Sequence, residues 1–445
     1  MMKKKWQSVF FLQAMPVGTQ INLLKKGLIY SLVLLMMGAC AKQEEAPPTD
    51  DDDQTEEPQP DPETSPEGDV VGKLIVGYQG WFGAAGDGSP FNSWRHWAVS
   101  GAPAAGNQSF EIWPDTREYE NLYPTEYANL GNGEPAELFS HWDDQTVNLH
   151  FQWMAEYGID CAAVQRFGNH MDRDDRDKNF KNGLLEKERA AAEANEVKFF
   201  VGYDISGWTD FQTAIKEDWT NTVAADTVSP MYARQNGKPV VSIWGLGVAG
   251  RPGDAAAGVD VVNWFKEQGC YVIVGTRQNW RENTAFLPVM DAADMVSPWT
   301  VGAFNDISGV DRYAGMMEAD KAYLDANGQD YLPVAFPGFA WSNWNGGPVN
   351  EIPRMHGDFL WRQFANIRNK GITQAFVAMF DEYDEGTAIA KAAENSSMIP
   401  TDQYFLTLDA DGVSCTSDFY LRLTGDGAKM IAGEAPLTWA HPTAH

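Results

Sequence analysis

The chain has 445 residues, with 62 acidic against 33 basic side chains and a net charge of −29. So negative a balance argues against nucleic acid and anionic lipid headgroups as partners, because both would be repelled. Four cysteines without a CxxC pair exclude a disulfide framework: Cys40 is set apart below, and Cys161, Cys270 and Cys415 sit in or beside apolar runs, as buried free thiols do.

The first element is a leader. Lys3, Lys4, Lys5, Lys25 and Lys26 precede an apolar run, Gly27 to Met37, which is too short to span a bilayer. Met37-Gly38-Ala39-Cys40 closes it and resembles a bacterial lipobox. Residues 1–40 are therefore expected to be a lipoprotein signal peptide, cut before Cys40, with lipid carried on that thiol and firm attachment to a membrane surface. Ala41 in place of Asp is compatible with outer-membrane sorting of a secreted, anchored protein, at the cell surface or the periplasmic face. Residues 41–69 hold 12 acidic residues and one lysine, hence −11 of the net charge, among Pro and Thr with almost no aliphatic side chain. Such a segment buries too little apolar area to fold and is expected to be a disordered tether.

From Val70 onward eight apolar runs read as strands: Leu74–Tyr78, Ile159–Phe167, Val197–Tyr203, Pro239–Trp244, Tyr271–Thr276, Met295–Trp299, Leu332–Phe336 and Ala375–Phe380. Helical spacing follows in Asp144–Tyr157, Asn179–Asn195, Phe211–Val223, Val259–Gln268, Tyr313–Asn327 and His356–Lys370, with a last helix over Ser417–Gly433. Arg281–Met290 makes a poor helix. Alternating strands and helices predict an α/β fold with a parallel sheet. Eight such units predict a (β/α)8 TIM barrel over residues 70–445, with long strand-to-helix loops above the C-terminal face. A doubly wound sheet is the alternative, made less fitting by the absence of a glycine fingerprint after the first strand. More than 70 residues separate the first two strands, enough for a folded flap over the barrel mouth.

A barrel places its site at the C-terminal strand ends. Those ends and the loops after them supply Tyr78, Trp81, Gln165, Arg166, Tyr203, Asp204, Trp244, Trp299, Trp341 and Trp344, with His96 from the flap. Aromatic faces stack on the C–H faces of sugar rings while amides and Arg bind hydroxyls, so this set predicts a sugar cleft rather than lid packing. No HxH or HExxH is present, and no metal or other cofactor is expected. Asp172, Asp174, Asp175 and Asp177, like Asp409-Ala410-Asp411-Gly412, lack the spacing of a calcium loop and read as solvated loops.

The eighth run ends in Asp381-Glu382-Tyr383-Asp384-Glu385, four carboxylates in five residues. Glu382 and Glu385, three apart, fall on one side of a single turn. Two carboxyls with separated pKa values on one wall of a cleft are what glycosidic cleavage needs. A solvated acidic loop or a cation site is the plainer alternative. Phe380-Asp381-Glu382-Tyr383-Asp384-Glu385-Gly386-Thr387 resembles the Phe-Asn-Glu-Trp-His-Glu-Gly-Thr motif of glycoside hydrolase family 99, the endo-α-mannosidases and endo-α-mannanases. The opening Gly77-Tyr78-Gln79-Gly80-Trp81-Phe82, with Trp94 and His96-Trp97 behind it, resembles the bacterial family 71/99-like proteins. The resemblance implies a (β/α)8 barrel, retention of configuration through a 1,2-anhydro sugar, Glu382 as the base that takes the 2-hydroxyl proton, and Glu385 as general acid and then base. Asp381, Tyr383 and Asp384 depart from the motif. The two added carboxyls are expected to raise the pair's pKa values and to lower the pH optimum.

These readings combine into a lipid-anchored, retaining, endo-acting α-glycoside hydrolase on an α-mannan or α-glucan, needing no cofactor, with Tyr383 and Asp384 at the sugar. The competing readings are a non-catalytic cell-surface glycan-binding lipoprotein and a transglycosidase.

Overall fold

The structure, a computed structural model, describes residues 63–172 and 174–445. The leader, Cys40 and residues 41–62 of the expected tether lie outside the described residues.

Eight parallel strands form the centre. They are β1 (Leu74–Tyr78), β2 (Cys161–Phe167), β3 (Lys198–Asp204), β4 (Lys238–Trp244), β5 (Tyr271–Arg277), β6 (Met295–Trp299), β7 (Asp330–Tyr331 continued by Val334–Ala335) and β8 (Ala375–Val377). Pro333 breaks β7 because it offers no N–H to a ladder. The first half of β7 pairs with β6 and the second half with β8. With β8 on β1, and β1 through β6 paired in sequence order, the sheet closes on itself. The (β/α)8 barrel predicted from the alternation of runs is the fold observed.

Barrel strands are covered on both faces, which is why their sequences are apolar runs rather than alternating ones. Ile75, Val76, Val201, Val241, Val272 and Val296 are among the buried residues. Helices Asp144–Glu156, Asp175–Asn195, Phe211–Asn221, Ala255–Glu267, Ile307–Ala326 and Asp358–Asn369 surround them, with Phe419–Ala432 packing on the last. Only a short helix, Leu287–Ala292, stands between β5 and β6, matching the poor helical pattern there. Asp174 caps helix Asp175–Asn195 by accepting from the Arg176 and Asp177 amides, and Asp177 accepts from Arg95. That run of aspartates thus serves a helix start. Cys161, Cys270 and Cys415 are buried free thiols.

The segment from Gln79 to Asp143 is folded. It carries a two-stranded ribbon, Tyr123–Pro124 on Glu137–Leu138, and its own aromatic cluster of Trp97, Phe110, Trp113 and Phe139. Its Glu111 and Ile112 amides both donate to the Tyr383 carbonyl, at 2.9 and 3.2 Å, which fastens the flap to the end of β8.

The body starts earlier than Val70. Ser65 N–H donates to Asp330 (3.0 Å), and Gln235 donates to the Pro66 carbonyl (2.7 Å). Residues 63–69, read in sequence as the end of the tether, pack on the barrel instead; polar composition hid them because they bind through backbone groups and polar side chains such as Ser65 and Asp69.

Candidate active site

Beyond Val377 the chain leaves the ladder and turns. Tyr383 N–H reaches the Asp381 carbonyl, and the Thr387 and Ala388 amides both reach the Glu382 carbonyl at 3.2 and 3.1 Å. The carboxylate cluster thus lies on a tight turn, and no helix forms there. Gly386 sits at φ +66, and a Cβ there would come within 3.1 Å of the Ala340 amide nitrogen. Arg354 is buried and donates to the Gly386 and Ala388 carbonyls at 2.9 and 2.6 Å. It clamps the turn from below, and nothing in its sequence context signalled it.

All four carboxyls are at least 94 % buried. Asp381 accepts from the Gln79 and Gly80 amides (2.7 and 2.9 Å) and faces Nε2 of His141 at 3.0 Å. It therefore ties the end of β8 to the end of β1. Glu382 accepts from the Gln79 amide group (3.0 Å) and from the Thr387 hydroxyl (2.7 Å). Burial, then the Asp384 charge, push its pKa up to about 8 against those two donors. Glu385 is raised well above the carboxylate range by burial and then by Glu382, and no side chain among the described residues donates to it. Hydrogen bonds to the charged form favour that form, so Glu382 ionises first and Glu385 keeps its proton longer. One carboxyl ready to accept and one ready to give a proton is an acid–base arrangement.

Asp384 accepts from the Trp81 indole at 3.3 Å and lies 2.9 Å from His96 Nδ1, while Trp81 and His96 stack at 4.2 Å. Trp81, His96 and Asp384 therefore form one unit beside the glutamates, and burial raises the Asp384 pKa as well. No three His, Cys, Asp or Glu side chains among the described residues are placed to hold a metal ion.

No protein-family model matches the sequence, and no curated protein matches it. Solved structures do. The GH99 endo-alpha-mannosidase from Bacteroides thetaiotaomicron superimposes with a TM-score of 0.61 at 15% identity, over 82% of this chain and 100% of that one. The same enzyme in complex with bis-tris-propane gives 0.58, again at 15% identity, over 82% and 98%. The fold is that of a GH99 glycoside hydrolase. Identity this low carries the architecture and not the chemistry, which rests on the residues themselves.

The GH99-like barrel sorts the other expected residues by the two-residue alternation of its strands. Gln165, Gly202 and Ser242 share one layer: a Cβ on Gly202 would meet the Ser242 hydroxyl and the Gln165 amide. Their neighbours point the other way, into the helices, and three expectations are corrected on that ground. Arg166 is buried and grips Asp218 with Nε and Nη2 at 2.9 and 2.6 Å. Tyr203 donates to the same Asp218 at 2.9 Å. Tyr78 is buried with its hydroxyl on His150. All three brace the strand–helix layer and reach no cleft. Tyr383 is likewise withdrawn as a sugar contact, since its ring packs among Phe82, Trp97 and Phe139 and its hydroxyl donates to the Lys391 carbonyl.

Gln165, Trp244, Trp299, Trp341 and Trp344 are half-buried at the C-terminal rim. Trp244 meets Trp299 edge to face at 5.8 Å. Trp341 and Trp344 lie 6.4 Å apart on a loop held by buried Glu111, which accepts from Ser342 and from the Asn343 amide. Asp204 is buried and accepts from the Ser206 amide, near Arg251. Gln79 and Thr387, the two donors to Glu382, are functional candidates outside the expected set, since an uncharged side chain gains its role here only by its place beside a buried carboxyl.

Proposed function

We propose that the protein is a retaining, endo-acting α-glycoside hydrolase acting on an α-mannan or α-glucan. The observation that carries this is the asymmetry of the buried pair at the end of β8: among the described residues two side chains donate to Glu382 and none to Glu385. Glu382 takes the proton of the substrate 2-hydroxyl, whose oxygen closes on the anomeric carbon. Glu385 gives its proton to the departing glycosidic oxygen. Glu385 then takes a proton from water as that water opens the 1,2-anhydro ring, and Glu382 returns its proton to the 2-oxygen. Two inversions give net retention, and both glutamates end as they began. The half-buried Trp residues of the rim supply stacking faces for a chain of sugars. In this reading the lipid on Cys40 holds the enzyme on the outer membrane.

The test is release of reducing ends from α-mannans and α-glucans by wild type, Glu382→Gln and Glu385→Gln. We expect each substitution to cut kcat at least about a thousandfold, the scale of losing acid–base help to a poor leaving group. Equal activity in all three removes the assignment. Glycan binding without turnover in wild type points instead to the non-catalytic capture reading.

A further inference from the structure

Away from the carboxylate turn, the loops after β4 and β5 enclose a cleft of about 480 Å³ on the same C-terminal face. Arg251 and Arg277 both line it. In a chain of net charge −29 two guanidinium groups at one concavity are a local concentration of positive charge. Arg277, half-buried, makes no hydrogen bond or ion pair with any described residue. Arg251 lies with its guanidinium 4.9 Å from the centre of the Trp244 ring, and Asp204 offsets part of its charge. The one acidic side chain in the lining, Glu282, is engaged by the Asn279 amide at 2.8 Å. The Asn279 side-chain oxygen is buried without a partner.

The loop itself bends around the cleft on glycines. Gly245, Gly247, Gly250 and Gly253 all have positive φ, at 113, 76, 79 and 86°. The Gly245, Val248 and Arg251 amides donate to the Gly275, Gly245 and Val248 carbonyls, so the loop is a series of tight turns and the guanidinium groups are what it offers a ligand. A guanidinium group can donate to a sugar hydroxyl, but it matches carboxylate, sulfate and phosphate oxygens two at a time with opposite charge, which makes an oxyanion the stronger partner. Arg277 is also the register partner of Trp299 on β6, so the cleft continues the aromatic rim.

We propose that this cleft is a subsite for an oxyanion carried by the glycan: a uronate carboxylate, a sulfate ester or a phosphate ester. It rests on the reading of the rim as a glycan cleft and names an acidic sugar as part of the substrate. Trp244, under Arg251, gives the readout. The full-length chain is titrated with glucuronate, with inorganic sulfate and with glucose, following tryptophan fluorescence at low and at high salt.

The expected result is a saturable change with glucuronate that is at least as tight as with sulfate, that weakens with salt, and that glucose does not produce. Arg277→Gln, with an unchanged melting curve, should weaken glucuronate at least about tenfold, while Arg277→Lys recovers part of the loss. A response to glucose equal to that of glucuronate overturns the proposal, as does an Arg277→Gln titration that matches wild type. A response to sulfate with none to glucuronate also overturns it, because the site then takes free ions and no sugar. Glu385→Gln should bind glucuronate as wild type does. Anion binding that persists in a protein releasing no reducing ends would sink the hydrolase and leave the subsite standing.

Discussion

Glu382 and Glu385 carry raised pKa values because burial takes them from water before any neighbour acts. Activity needs one proton on the pair, so the rate should follow a bell whose limbs belong to the pair rather than to either residue. Raised values move both limbs upward. The optimum of kcat/KM should therefore lie at neutral pH or above, opposite to the lower optimum expected from counting charges; a raised pKa delays ionisation of the base. An optimum near pH 4 would refute the electrostatics described here. Gln79→Leu removes a donor to Glu382 and should shift the acid limb up by roughly one unit, with about a tenfold loss of kcat/KM below it. Stability follows the same sign. A carboxyl with a folded pKa above its unfolded value binds more protons when folded, so its stabilisation is present below about pH 4.5 and is lost as pH rises toward the folded value, about 8 for Glu382. Glu385→Gln, which cannot ionise, should melt above wild type by a margin that grows between pH 5 and pH 8 in thermal melts.

The turn after β8 is the element that presents the pair, and its parts were unevenly legible. The carboxylates announced themselves by density. The turn geometry did not, because the run Ala375–Phe380 reads as one strand whereas the ladder stops at Val377. Arg354 lies far from the turn in sequence, and only the fold brings it to the Gly386 and Ala388 carbonyls. Arg354→Met leaves two buried acceptors unmet and should cost about 2–6 kcal/mol, at roughly 1–3 for each, read by denaturant titration. Gly386→Ala meets both a left-handed φ and the Ala340 backbone, so it should lose activity even where a folded protein is recovered.

At the scale of the molecule, strand–helix alternation was strong enough to yield the barrel, since eight two-face-buried strands leave eight apolar runs. The rim was half legible. Reading every residue at a strand end as rim ignores the alternation that sends Arg166 and Tyr203 into the helix layer while Gln165 and Asp204 take the other side. Residues 63–69 teach a related lesson about composition, and a chain begun at Val70 should melt a few degrees below one begun at Glu63, having lost the Ser65 and Pro66 contacts. The claim that organises the whole is a division of labour between two glutamates at the mouth of the barrel. It is tested most directly with an α-glycosyl fluoride of the sugar that wild type cleaves, because fluoride leaves without a proton. Glu385→Gln should regain most of its first-turnover rate of fluoride release, with ring opening still slow for want of its base, while Glu382→Gln stays inactive in that first step; fluoride release recovered in Glu382→Gln, or not recovered in Glu385→Gln, would contradict the account.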